Sequence, residues 1–525
     1  MDKLPEEILS LILAELQPVF ADYNKNTYDY DEDFTENQVL SATLAAACQV
    51  NRTWYRVATP LLYDAVETYG SVFRVRYHDQ DDPRCGPGNL MLGDIEEFDS
   101  GCAQNVAHPR RSSLASLLRT CAQAPSLIAR LRHLRINMGV PYNSDDLSDM
   151  STYDMALMEL SIPQDLKDLL RKDRRNTRSL GDSDLAVLLP FCHNIDTLDI
   201  VCHDVFGTEL VEAVLQALTA GISRERLPNL RTFSTYPGSE PFDGTTFREF
   251  STAQITTIKP FLVAPAVETV RLSKVKLDFD LIASSSAWST TVTSLKITEY
   301  EGRSRYEHHD YLLTWFPNLH QLHLDGIAVG IAPHDGTATL QRHGKKFESL
   351  TMIMSGWIEP LGSIAELANL RSFTTTRRLL QGRCWETGYS RTGFNQDIGR
   401  ASTLVNLLPR GLEILRIAQC VQDRMRGTGE YTKAEALQRP ASFWNTLHDP
   451  IAELCSDNRF KRLREVAFYP SAPFDKDLSD LGWTAMATER STSHLFRYES
   501  GTQDGSMFFA PWAKYGFKKI ILSRS

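Results

Sequence analysis

From about residue 114 onward one short pattern, apolar-x-x-apolar-x-apolar, keeps returning, and few folds are open to a chain built this way. Clear copies are Leu131/Leu134/Ile136, Ile195/Leu198/Ile200, Val267/Val270/Leu272, Val292/Leu295/Ile297, Leu319/Leu322/Leu324, Phe347/Leu350/Met352, Leu412/Leu415/Ile417 and Leu463/Val466/Phe468. Leu230/Phe233 and Leu370/Phe373 are weaker ones. The last two apolar positions sit two apart, the spacing of residues on one side of a strand. The central residues 134, 198, 233, 270, 295, 322, 350, 373, 415 and 466 leave gaps of 64, 35, 37, 25, 27, 28, 23, 42 and 51. Any apolar-rich α/β chain yields some such triplets, but gaps that settle near one value point to a stacked repeat. The wide first gap has room for two repeats, or for one plus the polar stretch 141–183. Stretches 210–218 and 364–367 read as helical filler between strands. The expected architecture is an α/β solenoid of roughly ten to twelve repeats, with short parallel strands and helices on the outer face.

The same alternation assigns the other side of each strand. The residue between the second and third apolar positions must point away from the core. That row reads Arg135, Asp199, Ser234, Arg271, Lys296, His323, Thr351, Thr374, Arg416 and Ala467. Four of these are basic and one acidic, in a protein whose net charge is −10. Strands about 4.8 Å apart would set Arg271, Lys296 and His323 side by side, a stripe suited to an acidic or phosphorylated segment. The bland alternative is that outward positions need only be polar. A second candidate contact lies in the glycine-rich stretch 382–399, where Trp385 and Tyr389 accompany arginines, the residue types that anchor interfaces.

The first 64 residues have a different texture. Ile8, Ile12 and Leu16 recur every four residues beside a second stripe of Leu9 and Leu13, giving a helix with more apolar surface than one neighbour covers. Residues 18–38 hold six acids against Lys25 and read as a solvated loop. Helicity resumes over 40–50, then continues after Asn51, a cap, until Pro60 stops it. Residues 65–113 read as a linker or long loop, rich in Asp, Gly and Pro, and 114–525 as the repeat domain with a C-terminal cap.

Leu4-Pro5-Glu6-Glu7-Ile8-Leu9 with Ile12 and Leu16 opens a second recognisable pattern. It continues as Leu44, Cys48, Val50, Asn51, Arg52, Trp54, Tyr55, Ala58, Pro60, Leu61, Leu62 and Tyr63. Over about 45 residues this resembles an F-box, and Val-x-Arg-x-Trp followed by Ala-x-Pro-Leu-Leu-Tyr is similar to fungal F-box proteins in particular. The acidic insert 18–38 departs from that family's compact form. The remainder is similar to the leucine-rich-repeat half of such proteins. The resemblance implies a substrate receptor of an SCF-type ubiquitin ligase. Its F-box would bind a Skp-family adaptor, and through it a cullin–RING ligase, while the repeats capture the protein to be ubiquitylated. Leu4, Pro5, Ile8, Leu9, Ile12, Val50, Trp54, Leu61, Leu62 and Tyr63 would form the adaptor surface, partly uncovered in the free chain. Arg135, Arg271, Lys296, His323, Arg416, Trp385 and Tyr389 would read the target. The alternative is a non-catalytic repeat scaffold uncoupled from ubiquitylation.

Other functions find less support. Net −10 argues against a general nucleic-acid or membrane-surface binder. No apolar run reaches the roughly 18 residues of a membrane span, and acids stand where a signal peptide needs bases, so an intracellular protein, cytoplasmic or nuclear, is expected. The nine cysteines lie no closer than Cys192 and Cys202, which reads as buried apolar residues rather than zinc ligands or a disulfide framework. No catalytic residue, metal or cofactor is expected. The basic clusters 167–178 and 371–383 read as solvated helix ends, with a nuclear-import signal as the functional alternative.

Overall fold

The computed structural model describes residues 5–17, 30–68, 113–138, 147–176, 181–202, 208–219, 227–237, 253–255, 257–273, 275–276, 287–302, 312–328, 333–355, 361–376, 379–380, 404–418, 448–468, 478–488 and 519–524. Trp385 and Tyr389, with the glycine-rich stretch around them, lie outside these, as does Leu4. The chain divides into two compact units. One is 1–253 with 257–267, and the other is 254–256 with 268–525.

The first unit opens with three helices, α1 (Glu6–Ala14), α2 (Tyr30–Ala47) and α3 (Arg52–Leu62). The Pro5 carbonyl accepts the N–H groups of Ile8 and Leu9 (3.1 and 3.0 Å), and Glu6 and Glu7 face the positive helix end. Helix α2 begins at Tyr30, so the second half of the acidic stretch 18–38 is helix rather than loop. Asn51 caps α3 as expected, its Oδ1 accepting from Thr53 N (2.9 Å) and Trp54 N (3.0 Å). Pro60 does not stop α3. The helix runs on to Leu62, because proline withholds only one hydrogen bond and the turn closes through Tyr63 N to Thr59 O (3.2 Å). Leu9, Leu13, Leu44, Ala47 and Ala58 form the core of this bundle.

Strand β1 (Ala65–Thr68) follows at once, inside the stretch read as linker. It pairs in parallel with β2 (His133–Met138), which pairs with β3 (Thr197–Cys202) and that with β4 (Thr232–Pro237). Helix α4 (Ser113–Gln123) and the single turn α5 (Pro125–Ile128) precede β2. Because β2 meets β3 directly, the wide gap between their central residues is one repeat enlarged by α6 (Leu147–Glu159), α7 (Gln164–Asn176) and α8 (Asp182–Leu188). The basic cluster 167–178 is divided: Lys172 and Arg175 are exposed as expected, Lys167 and Arg174 are buried, and Arg178 lies outside the described residues. Lys167 Nζ reaches Met158 O at 3.2 Å, and buried Arg174 meets buried Asp184 at 2.9 Å. Arg171 bonds Asp154 (2.8 Å) and Asp168 (3.0 Å). Helix α9 (Glu209–Thr219) is capped by Asp182, whose carboxylate accepts from Leu210 N (2.7 Å) and Val211 N (3.1 Å). The two-residue β5 (Ala253–Gln254) and the turn α10 (Lys259–Leu262) come next.

The second unit carries β6 (Thr269–Ser273), the short β7 (Val275–Lys276), β8 (Ser294–Gly302), β9 (Gln321–Ala328), β10 (Ser349–Ser355), β11 (Ser372–Thr376), β12 (Ile414–Ala418) and β13 (Glu465–Phe468). From β6 through β8 to β13 neighbours pair in parallel. Antiparallel β15 (Lys519–Arg524) and β14 (Trp483–Thr488) then close that end. Residues 364–367 are a turn, not helical filler. Both units are thus α/β and solenoid-like. Every apolar position of the ten triplets is buried, and the central residues are direct register partners within each unit.

A backbone ladder sets that register. Just before each strand, one carbonyl accepts two consecutive N–H groups of the next repeat. Asp64 O takes those of Arg132 and His133 (both 2.9 Å), Glu268 O those of Thr293 and Ser294, and Glu348 O those of Arg371 and Ser372. Asparagine side chains repeat the device, Asn194 Nδ2 bonding Ala129 O (2.6 Å), Asn318 Nδ2 bonding Thr290 O (2.7 Å) and Asn369 Nδ2 bonding Lys345 O (2.8 Å).

Candidate functional site: an outward strand row and an apolar helical surface

The outward row predicted from the triplets exists as a row in both units, but its two parts differ in exposure. In the first unit Glu67, Arg135, Asp199 and Ser234 are register partners. Arg135 is 3% exposed, Asp199 4% and Ser234 0%. Arg135 Nη2 and Nε lie 3.0 and 3.3 Å from Asp199 Oδ2, and His133 Nε2 lies 2.9 Å from the same oxygen. The Arg135 guanidinium also stands 6.0 Å from the Tyr236 ring centre. Burial alone would raise the Asp199 carboxyl. The His133 hydrogen bond and the Arg135 charge outweigh it and hold the group below the usual carboxylate range. Arg135, expected to face a target, is instead sealed from solvent against Asp199. A buried cation needs a buried partner, and here that partner is the next strand's Asp199.

In the second unit the row Arg271–Lys296–His323–Thr351–Thr374–Arg416–Ala467 is likewise in register. Arg271, Lys296, Thr351 and Thr374 are half-buried and Arg416 is exposed. Two of the four cationic positions contribute less than expected. His323 is held uncharged at neutral pH, because burial and the neighbouring Lys296 charge lower its pKa to about 4. Arg416 Nε lies 2.8 Å from Glu465 Oε1, which offsets its charge. Arg271 and Lys296 are adjacent register partners on this row, both half-buried. Two residues back along each strand, on the same face, lie Ser294, Gln321, Ser349 and Ser372, with Ser294 Oγ donating to Gln321 Oε1 at 3.3 Å. Such a surface, two cations beside a floor of hydroxyls and an amide, offers donors to an anionic or polar segment.

The second candidate surface lies on the N-terminal bundle. Pro5, Ile8, Ile12 and Val50 are exposed, Trp54, Leu61 and Leu62 are half-buried against the bundle core, and Tyr63 is half-buried. Leu9 is a correction. It is buried among Leu13, Leu44, Ala47 and Ala58, since α1 lays that stripe against its neighbours. Leu11, 66% exposed, Val39 and Tyr55 are exposed apolar residues of the bundle that were not assigned to this surface from the sequence. Their signal was available only for Leu11, an apolar residue on the face opposite Leu9 and Leu13.

Cys121, Cys192 and Cys455 are buried, and burial pushes the Cys121 and Cys455 thiols up to about 12. Among the described residues no three His, Cys, Asp or Glu side chains gather where a metal could sit, and no helix is long and apolar enough to cross a membrane. No protein-family model matches the chain, and no curated protein matches it.

Proposed function

We propose that the chain is the substrate-recognition subunit of an SCF-type ubiquitin ligase. Its N-terminal bundle is read as an F-box that binds a Skp-family adaptor, and its leucine-rich repeats capture the target protein. One observation carries this reading: Ile8, Ile12 and Val50 of the F-box-like pattern are exposed, while Leu9, Leu13 and Leu44 make the bundle's core. Large apolar groups left in water beside a formed core suit an interface, whose buried anchors are worth about 2 kcal/mol or more each on truncation. Ile8→Ala with Ile12→Ala should abolish capture of the adaptor in a pull-down and leave thermal unfolding unchanged, since both side chains are exposed in the free chain. Adaptor capture equal to that of the unmodified chain overturns the assignment.

The target-reading surface under this proposal is the outward row of the second unit, centred on Arg271 and Lys296. Its chemistry favours an acidic or phosphorylated segment, because paired cations beside hydroxyl donors match carboxylate and phosphate oxygens.

A further inference from the structure

Across β6, β8, β9, β10 and β11 the outward face of the second unit changes character. On β6 and β8 it presents two basic residues, the register partners Arg271 and Lys296. On β10 and β11 it presents four hydroxyls, in the register pairs Ser349–Ser372 and Thr351–Thr374. All six residues are half-buried, so part of each side chain reaches solvent. Between the two groups, β9 carries His323, which stays uncharged at neutral pH, and half-buried Asp325 two residues further along the same face. Positive charge and neutral hydrogen-bonding capacity are therefore segregated along the row, with a carboxylate between them.

An anion gains over β6 and β8, because hydrogen bonds from Arg or Lys to carboxylate and phosphate oxygens are the stronger kind. Moved to β9, the same anion gives up hydration beside the like charge of Asp325. Hydroxyls both donate and accept, so β10 and β11 match amides and hydroxyls, which do the same. Resting on the reading of this chain as a target receptor, we propose that the face takes an extended segment of the target lying across the strands. A carboxylate or phosphate of that segment sits over β6 and β8, and uncharged polar residues (Asn, Gln, Ser or Thr) sit over β10 and β11. Neighbouring strands about 4.8 Å apart put β11 roughly 19 Å from β6. An extended segment rising about 3.3 Å per residue spans that in about six residues. A segment acidic throughout is a poorer ligand, since its later carboxylates meet Asp325 and hydroxyls rather than cations.

The test is fluorescence anisotropy of the full chain with labelled hexapeptides: Asp-Asp-Gln-Ser-Gln-Ser, its reverse, hexa-aspartate and Gln-Ser-Gln-Ser-Gln-Ser. One of the two mixed peptides should bind about fivefold or more tighter than both uniform ones. Thr351→Val with Thr374→Val removes two hydroxyls at nearly constant shape. That pair should weaken the mixed peptide about tenfold and move hexa-aspartate by less than about twofold. Ser349→Ala with Ser372→Ala repeats the measurement on the neighbouring pair, and thermal unfolding of both double variants should match the parent. Arg271→Gln should weaken every peptide that carries Asp. Exchanging the first Asp for phosphoserine separates the two anion sources, tighter binding marking phosphate and weaker binding carboxylate. Hexa-aspartate binding as tightly as the mixed peptides, no measurable binding of either mixed peptide, or indifference to both hydroxyl-removing pairs overturns the inference. Adaptor capture is measured on the N-terminal bundle, so its failure would sink the receptor reading and leave these peptide results standing.

Discussion

Arg135 and Thr375 show two ways a polar residue can be buried on a strand. Arg135 is matched by Asp199, and breaking a buried pair by removing one partner typically costs about 3–5 kcal/mol. Arg135→Ala should lower the unfolding midpoint by that order, and Arg135→Met with Asp199→Leu should recover most of it. A single substitution without effect would show that the pair is not holding β2 to β3. Thr375 stands where other repeats have the third apolar residue, opposite Met352, and it is fully buried with its hydroxyl unpartnered among the described residues. Thr235 holds the same place beside Ile200. These threonines are why the copies at Leu230/Phe233 and Leu370/Phe373 look weak in sequence: the methyl packs and the hydroxyl goes unmatched. Thr375→Val keeps the shape and removes the orphan, so a gain of about 1 kcal/mol in urea unfolding is expected. His323 carries a pH signature. Its folded pKa of about 4 lies below the ordinary 6.5, so between those values the unfolded chain holds a proton that the folded one lacks. Stability should therefore fall as pH drops from 6.5 towards 4, and His323→Gln should flatten that slope in unfolding measured at pH 7 and pH 5.

At the scale of elements, each strand is held by its own alternation and by the device just upstream of it. The carbonyls that each take two N–H groups belong to Asp64, Arg132, Asp196, Glu268, Thr293, His320, Glu348, Arg371 and Glu413, a set in which opposite charges often adjoin. Arg231–Asp196 (3.7 Å), His320–Glu348 (3.2 Å), Arg371–Glu413 (3.6 Å) and Arg464–Glu413 (3.4 Å) are the resulting pairs. Exposed pairs contribute only about 0–1 kcal/mol each. Their effect is that a register slipped by one residue loses these opposite-charge neighbours. Glu413→Lys should accordingly destabilise the second unit more than Glu413→Gln, because it sets three cations in line with Arg371 and Arg464; equal thermal shifts for the two variants would count against the ladder. Asn51 acts at the same scale. It alone caps α3, so Asn51→Ala should cost about 1 kcal/mol in unfolding and weaken adaptor capture only in proportion to the unfolded fraction.

For the whole molecule, the contrast that matters is between the outward rows of the two units. They are closed over Arg135 and Asp199 in the first and half-open over Arg271 and Lys296 in the second, where the proposed target-reading surface lies. Arg271→Glu with Lys296→Glu should weaken capture of an acidic target while sparing adaptor capture, and the loss should grow as salt is lowered. Capture should also stay level from pH 8 down to about 5, since His323 remains uncharged there. The apolar triplets by themselves determined the strands, their inward faces and their register, because an alternation with period two leaves a buried strand only one way to face. Helix-capping chemistry likewise located the Asn51 cap. Only the tertiary structure decided the rest. Arg135 and Arg271 occupy equivalent places in their triplets, yet one is sealed with a carboxylate and the other half-open to solvent. Ile8 and Leu9 are neighbours on one helix, yet only Leu9 faces the bundle core. Local pattern dictates which way a side chain points; what covers it there is set by contacts with residues far away in the chain, and no short pattern carries that information.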